Sequence, residues 1–287
     1  FYLFDGADYV PVKLTKPLIE GMPNAHKGSQ PTDGGHLLLD EAAMREAVQI
    51  PEVAPYVKRF VQARDMLQGS PKRWCLWLVD AQPQHLRHPF IRQRLDQVSE
   101  SRLKSPTVSV QEYAAKPALF TQNRQPEGSY LALPEVSSEN RRWIPGQFYD
   151  TDVIAGNKLI IFPNAEPWHA ALLQSSMFMA WVETFAGRLE SRYSLAPGLA
   201  YFPIPWPELD QRAQQQLADR FEQVADARAV YPDATLADLY DPAAMPSQLI
   251  DAHTALDRTV DKAFGAAALL RSNDERLALI FERNNTP

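Results

Sequence analysis

Three prolines crowd the segment YFPIPWPE, where Pro203, Pro205 and Pro207 alternate with Ile204 and Trp206. A proline lacks the N–H group that a helix or a β-ladder needs, so neither element continues easily through such a segment. The chain must therefore change its structure here. We predict a domain boundary after residue 206.

Beyond this boundary the apolar residues recur with helical spacing. Helices are predicted over residues 208–230, 246–264 and 273–285, with a short turn at TLADLY between the first two. The region 207–287 is therefore predicted to be a small all-α bundle.

The first 206 residues mix the two periodicities. Helical spacing runs over 51–67, 88–105 and 167–189, whereas strands are predicted at 73–79, 118–121, 130–133 and 158–162. The predicted class is α+β, with a mixed α/β domain over 1–206 and the helical bundle after it. Because the chain begins at Phe1 with FYLFDGADYV, we expect it to continue an upstream protein, with residues 1–15 as a linker.

Composition indicates a globular protein of a reducing compartment. Of the 287 residues, 45% are hydrophobic, which is enough to fill a core. The single cysteine, Cys75, excludes an internal disulfide, and its setting in RWCLWLV indicates a buried strand. No apolar run approaches the roughly 20 residues that span a bilayer, so we expect a cytoplasmic protein that does not enter a membrane.

Charge is distributed unevenly along the chain. The formal net charge is −6, but residues 1–205 carry 21 basic and 21 acidic side chains, whereas residues 206–287 carry 8 and 14. A neutral first segment can still hold a basic face, while an acidic last segment is poorly suited to lie along phosphates.

The sequence offers no convincing catalytic or metal-binding set. It lacks a glycine-rich phosphate loop, a GxSxG elbow, an HExxH motif and paired CxxC motifs. His85 and His88 have metal-ligand spacing but no third ligand nearby. We expect no catalytic residue and no metal, and a stand-alone hydrolase is disfavoured.

The segment GRLESRYS places Glu190 and Arg192 two residues apart at the predicted end of a helix. In the major groove an arginine can donate two hydrogen bonds to guanine, while a glutamate can accept one from cytosine. The two side chains could therefore read one base pair. The alternative is an ordinary surface ion pair at a helix end.

Polar residues also cluster in VSSENRRWIP, just after a predicted strand. Ser137, Ser138, Arg141 and Arg142 could anchor phosphates while Trp143 packs below them. The alternative is a solvated hairpin loop. Arg102 and Lys104, at the end of the basic amphipathic stretch, are further candidates for contacts with the DNA backbone.

Several longer segments together resemble one family. They are LPEVSSENRRWIPGQFYDTDVIAGNKLII, SSMFMAWVETFAGRLESRYS, FPIPWPE, TLADLYDPAAMP and AHTALDRTVD, and they resemble the end of the MmeI-like restriction-modification proteins. These are large bacterial enzymes that join a nuclease, a spacer, an adenine methyltransferase, a target recognition domain and a helical tail.

The resemblance implies a recognition module for double-stranded DNA. Its partner would be a methyltransferase domain of the same chain that is missing here. The parent enzyme would transfer a methyl group from S-adenosylmethionine to an adenine flipped out of the duplex, whereas this fragment would hold no cofactor itself.

The resemblance also implies base-reading positions. Glu190 with Arg192 would read one base pair and Glu135 with Asn157 another, while Lys158 and Ser194 would select the next base. Placed in the family's order, this implies a core reading of C, G, A, C. The chain departs from the family pattern at RYSLAPGLAYFPIPWP, which most affects Ser194.

A second function class remains open. A protein-interaction or scaffold module would bind a partner protein tightly and show no salt-dependent affinity for duplex DNA.

Overall fold

The computed structural model describes residues 12–284, so the predicted linker over 1–15 lies mostly outside the described residues. The strands in this part of the chain are β1 (His26–Lys27), β2 (Leu38–Leu39), β3 (Val57–Val61), β4 (Arg73–Leu76), β5 (Tyr130–Pro134), β6 (Val136–Ser137), β7 (Gln147–Tyr149), β8 (Val153–Ala155), β9 (Leu159–Pro163), β10 (Gly187–Leu189) and β11 (Arg192–Ser194).

The helices are α1 (Glu41–Ala47), α2 (Ala63–Gln68), α3 (Pro89–Leu103), α4 (Val108–Glu112), α5 (Pro167–Leu173), α6 (Ser176–Phe185), α7 (Pro197–Ala200), α8 (Gln211–Ala229), α9 (Leu236–Leu239), α10 (Ser247–Ala263) and α11 (Asn273–Asn284). None of these helices, within the described residues, is long and apolar enough to cross a membrane. The mixture confirms the α+β class with a helical C-terminal region.

The chain forms two compact units. Within the described residues, the first comprises 12–26, Gly128–Phe148 and 160–284, and the second comprises Lys27–Glu127 and Tyr149–Leu159. The predicted boundary at residue 206 lies inside the first unit. The reason is a shared core, since buried residues of β5 and α6 belong to the same apolar cluster as those of α8, α10 and α11.

Two sheets belong mainly to the first unit. One has the strand order β1-β9-β5-β7, and the other has the order β10-β11-β6. Helices α5 and α6 are almost entirely buried in this unit. Most of their residues are apolar because these helices lie inside the core rather than on its surface.

The second unit is built on the sheet β2-β4-β3-β8. Strand β3 pairs antiparallel with β4 and parallel with β8. Helix α3 buries Ile91, Leu95 and Val98 at helical spacing in the core of this unit. Cys75 lies buried in β4, which confirms its predicted strand position.

The structure corrects two predicted helices. Residues 57–61, expected to be helical, form β3, because this segment of two valines and a phenylalanine pairs on both sides within a sheet and that pairing outweighs its helical spacing. The helix expected over 167–189 is interrupted: α5 ends at Leu173, and Ser175 caps α6 by accepting a hydrogen bond from the N–H of Phe178 (3.3 Å).

The structure confirms most of the other predicted elements. β5 and β9 confirm the strands at 130–133 and 158–162, and α8, α10 and α11 confirm the three C-terminal helices. The strand expected over 118–121 is not formed, although Phe120 is buried there as an aromatic core residue.

Candidate nucleic-acid interface

A β-hairpin, not a helix end, carries the residues of GRLESRYS. Strands β10 and β11 are antiparallel with Leu189 opposite Arg192, so Glu190 and Ser191 form a two-residue turn. β11 also pairs with β6 and is therefore the middle strand of its sheet. This corrects the prediction of a helix extending to residue 189.

The hairpin turn displays an ion pair. Nη2 of Arg192 lies 2.6 Å from Oε2 of Glu190, and the side chains are 46% and 77% exposed. Glu190 has φ of +58°, the left-handed conformation that tight two-residue hairpins require. The backbone turn thus projects a carboxylate and a guanidinium together into solvent.

Neighbouring charges surround this turn. The guanidinium of Arg188 donates to the carbonyl of Ser191 (2.9 Å) and lies 4.3 Å from the ring centre of Tyr193. The pKa of Glu139 is lowered, chiefly by a hydrogen bond with Ser191 and also by the charges of Arg188 and Arg192. Glu139 is therefore charged at neutral pH and belongs to the same cluster.

Strand alternation places Ser194 on the same side of β11 as Arg192, opposite the buried Tyr193. Glu135 lies between β5 and β6 and is only 9% exposed. Its carbonyl accepts a hydrogen bond from the N–H of Leu195 (2.8 Å), just past β11. The first unit thus brings Glu135 to the same sheet as the hairpin.

Asn157 and Lys158 stand at the centre of a turn between β8 and β9. The N–H of Leu159 donates to the carbonyl of Gly156 (3.0 Å), which closes the turn. Asn157 is half-buried and Lys158 is exposed. Both belong to the second unit, whereas Glu135, the expected partner of Asn157, belongs to the first.

The side chain of Gln62 meets this turn. Its Oε1 accepts from the N–H of Lys158 (2.9 Å), and its Nε2 donates to Oδ1 of Asn157 (3.2 Å). Two of the expected base-reading positions are therefore held by one residue that sequence reasoning did not single out.

The four residues at the loop after β6 that were expected to contact phosphates differ in how exposed they are. Ser137 is fully buried, which contradicts a phosphate contact, because β6 pairs with β11 and turns this side chain inward. The Oγ of Ser138 accepts from the N–H of Asn140 (3.3 Å) and so shapes the loop. Arg141 is half-buried, and burial lowers its pKa. Arg142 is exposed.

Trp143 packs beneath this loop, as predicted. Its ring stacks on His253 of α10 at 4.5 Å between ring centres, and its Nε1 donates to Oδ2 of Asp257 (3.0 Å). The Arg142 guanidinium lies 4.3 Å from the Trp143 ring centre. Asp257 also accepts from the N–H of Ser176 (2.7 Å), which fixes the start of α6.

A second set of hydrogen bonds, most of them partly buried, fixes the end of the same loop. Arg228 of α8 donates to the carbonyl of Gly146 (3.0 Å) and to Oε1 of Gln174 (2.6 Å). The hydroxyl of Tyr240 lies 2.8 Å from Nε of Arg228 and 2.6 Å from Nε2 of His253. Helices α8 and α10 therefore hold the loop that carries Arg142.

Arg102 is also contradicted as a phosphate contact. Its side chain is in the interior of the second unit, with 1% of the residue exposed. The guanidinium donates hydrogen bonds to carbonyls of Pro31, Thr32, Tyr113, Lys116 and Leu119. Lys104 is exposed, and its Nζ lies 2.6 Å from Glu100 one turn earlier on α3.

Some residues of the site carry weak sequence signals. Arg188 lies inside GRLESRYS and Glu139 inside VSSENRRWIP, so the charges within these two motifs could have drawn attention to them. Gln62 carries no such signal, because only the pairing of β3 with β8 brings it to the turn at Asn157.

Two family models match the chain. The model of the MmeI target recognition domain matches residues 6–208, and the model of the MmeI C-terminal domain matches residues 209–286. The two matches together span nearly all of the sequence.

Two known proteins are similar over 98% of the chain. DNA methyltransferase A of Bacillus subtilis (strain 168) is 33% identical over 283 residues. A solved structure of the Type IIL restriction-modification enzyme MmeI in complex with DNA is 35% identical and superposes with a TM-score of 0.92. The chain covers only 32% of the first protein and 37% of the second.

Proposed function

The chain belongs to the MmeI family, of which it comprises the target recognition and C-terminal domains, and on that premise we propose that it reads the base sequence of double-stranded DNA for a longer enzyme. The observation that carries this proposal is the exposed β10–β11 hairpin with the Glu190–Arg192 ion pair at its turn. The major groove of B-DNA is wide enough to admit a two-stranded β-ribbon.

The chemistry of the pair suits a C·G base pair. Arginine donates to O6 and N7 of guanine, and glutamate accepts from N4 of cytosine. In a C·G pair, N4 of the cytosine lies next to O6 of the guanine. Because Glu190 and Arg192 already contact each other, they can meet the two bases without first separating. Holding the pair in this arrangement before binding reduces the entropy lost on binding.

The other base-reading residues complete the proposal. Glu135 with Asn157 reads a second base pair, and Lys158 with Ser194 selects the next base, which gives a core of C, G, A, C. Ser138, Arg141, Arg142 and Lys104 contact the DNA backbone. Ser137 and Arg102 are left out because they are only 0% and 1% exposed, whereas Glu135 is 9% exposed.

The activity of the longer enzyme is a proposal of the same kind. We infer a methyltransferase domain elsewhere in that enzyme that transfers a methyl group from S-adenosylmethionine to a flipped adenine. The role of the present chain is to hold the recognition site in register while that reaction proceeds. The relative named DNA methyltransferase A, about three times as long, supports this arrangement.

The decisive experiment exchanges the charges of the hairpin. The chain is titrated by fluorescence anisotropy with duplexes centred on CGAC and with duplexes changed at one base pair, at two salt concentrations. We expect salt-sensitive binding with about 1–3 kcal/mol of discrimination at the base pair that Glu190 and Arg192 read. In the double variant Glu190→Lys with Arg192→Asp, the preferred base there should change from C to G.

A matched control reverses another exposed ion pair. Glu41→Arg with Arg45→Glu exchanges charges across a surface pair of α1 and leaves the net charge unchanged. Its base preference should equal that of the wild type. If the hairpin variant also keeps the wild-type preference, the assignment of Glu190 and Arg192 is wrong, and absence of salt-dependent binding in both the chain and the longer enzyme would favour a scaffold instead.

A further inference from the structure

We propose that Gln62 makes Asn157 a hydrogen-bond donor toward DNA, so that this position selects a base with a keto oxygen. The side chains of Gln62 and Asn157 meet at the turn between β8 and β9. The inference rests on the proposed function, because it takes Asn157 to face a base.

Backbone pairing brings Gln62 to this turn. Val61, the last residue of β3, lies opposite Ala155 of β8. The pairing extends one residue further, because the N–H of Gly156 donates to the carbonyl of Val61 (2.8 Å). Gln62 follows directly, and its side chain lies across Gly156, where an added Cβ would stand only 2.4 Å from Cδ of Gln62. The glycine provides the space that the glutamine occupies.

The orientation of the Gln62 amide is fixed by the main chain. The backbone N–H of Lys158 can only donate, so it requires the oxygen of Gln62, which lies 2.9 Å away. The amide nitrogen must then face the other way, toward Asn157. There Nε2 can only donate, so Asn157 has to present Oδ1, at 3.2 Å. One fixed backbone donor therefore sets the orientation of both side-chain amides.

This arrangement turns the oxygen side of the Asn157 amide toward Gln62 and leaves its NH₂ side for DNA. Its Oδ1 is held by Gln62, whereas its Nδ2 has no hydrogen-bond partner among the described residues. An NH₂ group can donate to O6 or N7 of guanine, to O4 of thymine and to N7 of adenine. Adenine sets its own N6–H₂ donor beside N7, and the usual two-point contact of asparagine needs Oδ1 turned toward that donor, so an Oδ1 turned toward Gln62 disfavours adenine. A guanine here fits the cytosine that we assign to Glu135, since the two bases pair.

The variant Gln62→Glu tests this inference with almost no change of shape. The carboxylate still accepts from the N–H of Lys158, but its second oxygen repels Oδ1 of Asn157. Asn157 then turns its NH₂ group inward and its oxygen toward DNA. We expect the preference for guanine or thymine over adenine or cytosine at this base to fall about tenfold or to reverse. It is measured by competition with duplexes that carry each of the four bases at each position of the site.

A second variant also presents an oxygen to the base, but it changes Asn157 instead of Gln62. Asn157→Asp keeps Gln62 intact, with one carboxylate oxygen bound to Nε2 of Gln62 and the other free to accept from a base. The same direction of change is expected. The control Gln68→Glu adds the same charge to an exposed residue of α2 and should leave base preference unchanged.

The outcomes separate this inference from the proposed function. If the wild-type chain and the longer enzyme bind DNA without sequence preference, the proposed function fails and this inference fails with it. If the wild type discriminates between bases but Gln62→Glu and Asn157→Asp both keep its preference, the role of Gln62 is wrong while the proposed function stands. A general loss of affinity with unchanged preference contradicts the inference in the same way.

Discussion

The polar residues of this chain are of two kinds. Some bind other groups of the folded chain with their hydrogen-bond donors, and others remain exposed to solvent. Arg102 and Arg142 have the same side chain, and both were expected to contact phosphates. Arg102 directs its donors to five backbone carbonyls in the second unit, whereas Arg142 is exposed above Trp143. Only the second remains available to a ligand.

The buried arginine should matter for stability. Arg102→Met leaves several buried carbonyls without donors, so we expect the free energy of unfolding to fall by about 3 kcal/mol or more. Arg92→Met is the control, because Arg92 lies on the same helix in an exposed pair with Asp96 and should contribute about 0.5 kcal/mol or less. Urea unfolding of both variants measures the difference, and equal effects would contradict the structural role of Arg102.

His253 should make stability depend on pH. Burial, followed by the charges of Arg228 and Arg142, lowers its pKa well below the usual 6.5. Below pH 6.5 the unfolded chain therefore binds a proton that the folded chain does not, so this contribution to stability is present above pH 6.5 and is lost as the pH falls. The difference in unfolding free energy between wild type and His253→Gln should shrink by up to about 1.4 kcal/mol per pH unit below 6.5.

Urea titrations from pH 7.5 to 5 measure this difference. Burial also raises the pKa of Asp261, to about 6, which changes stability in the opposite direction between about pH 6 and 4. That effect is common to both proteins and cancels in the comparison. A difference that stays constant across the range would contradict the prediction for His253.

At the scale of elements, the turn of the β10–β11 hairpin contains a residue that contributes little to stability. Glu190 holds a left-handed backbone conformation that costs a side-chain residue about 1 kcal/mol. Its side chain is exposed and makes only a surface ion pair. Glu190 therefore exposes its carboxylate to solvent and contributes little to the stability of the fold.

Glu190→Gly should remove base discrimination without lowering the free energy of unfolding, because glycine accepts this conformation readily. The control is Ser191→Gly at the other turn position, which has no left-handed backbone and should lose about 0.5–1 kcal/mol. Thermal unfolding and duplex competition measure the two properties separately. A clear loss of stability in Glu190→Gly would show that the ion pair contributes to the fold.

At the scale of the whole molecule, the C-terminal helices are part of the core of the first unit. Residues as distant in sequence as Leu131, Trp181, Leu256 and Phe281 belong to one buried apolar cluster. The family models nonetheless divide the chain between residues 208 and 209. A boundary between family models in the sequence therefore need not separate two parts that fold independently.

Removing residues 209–287 should prevent the rest of the first unit from folding cooperatively. The deletion exposes apolar surface of α5 and takes away Asp257 and His253, which hold Trp143. We expect the remainder of the first unit to lose its ordered aromatic packing, so the truncated chain should bind hydrophobic dyes and keep only the near-ultraviolet circular dichroism of the second unit. Near-ultraviolet circular dichroism of wild-type strength from Trp143, Trp181 and Trp206 in residues 1–208 would contradict this expectation.

The sequence by itself determined the family, the α+β class, the C-terminal helices and the identity of the charged motifs. These follow from local chemistry, because a proline interrupts the interior of a helix or a strand and apolar periodicity marks a helix over long stretches. It did not determine the strand at 57–61, the hairpin under Glu190, the burial of Ser137 and Arg102, or the contact of Gln62 with Asn157. Only the tertiary structure decided those, because each depends on a pairing partner or a packed neighbour that lies far away in sequence.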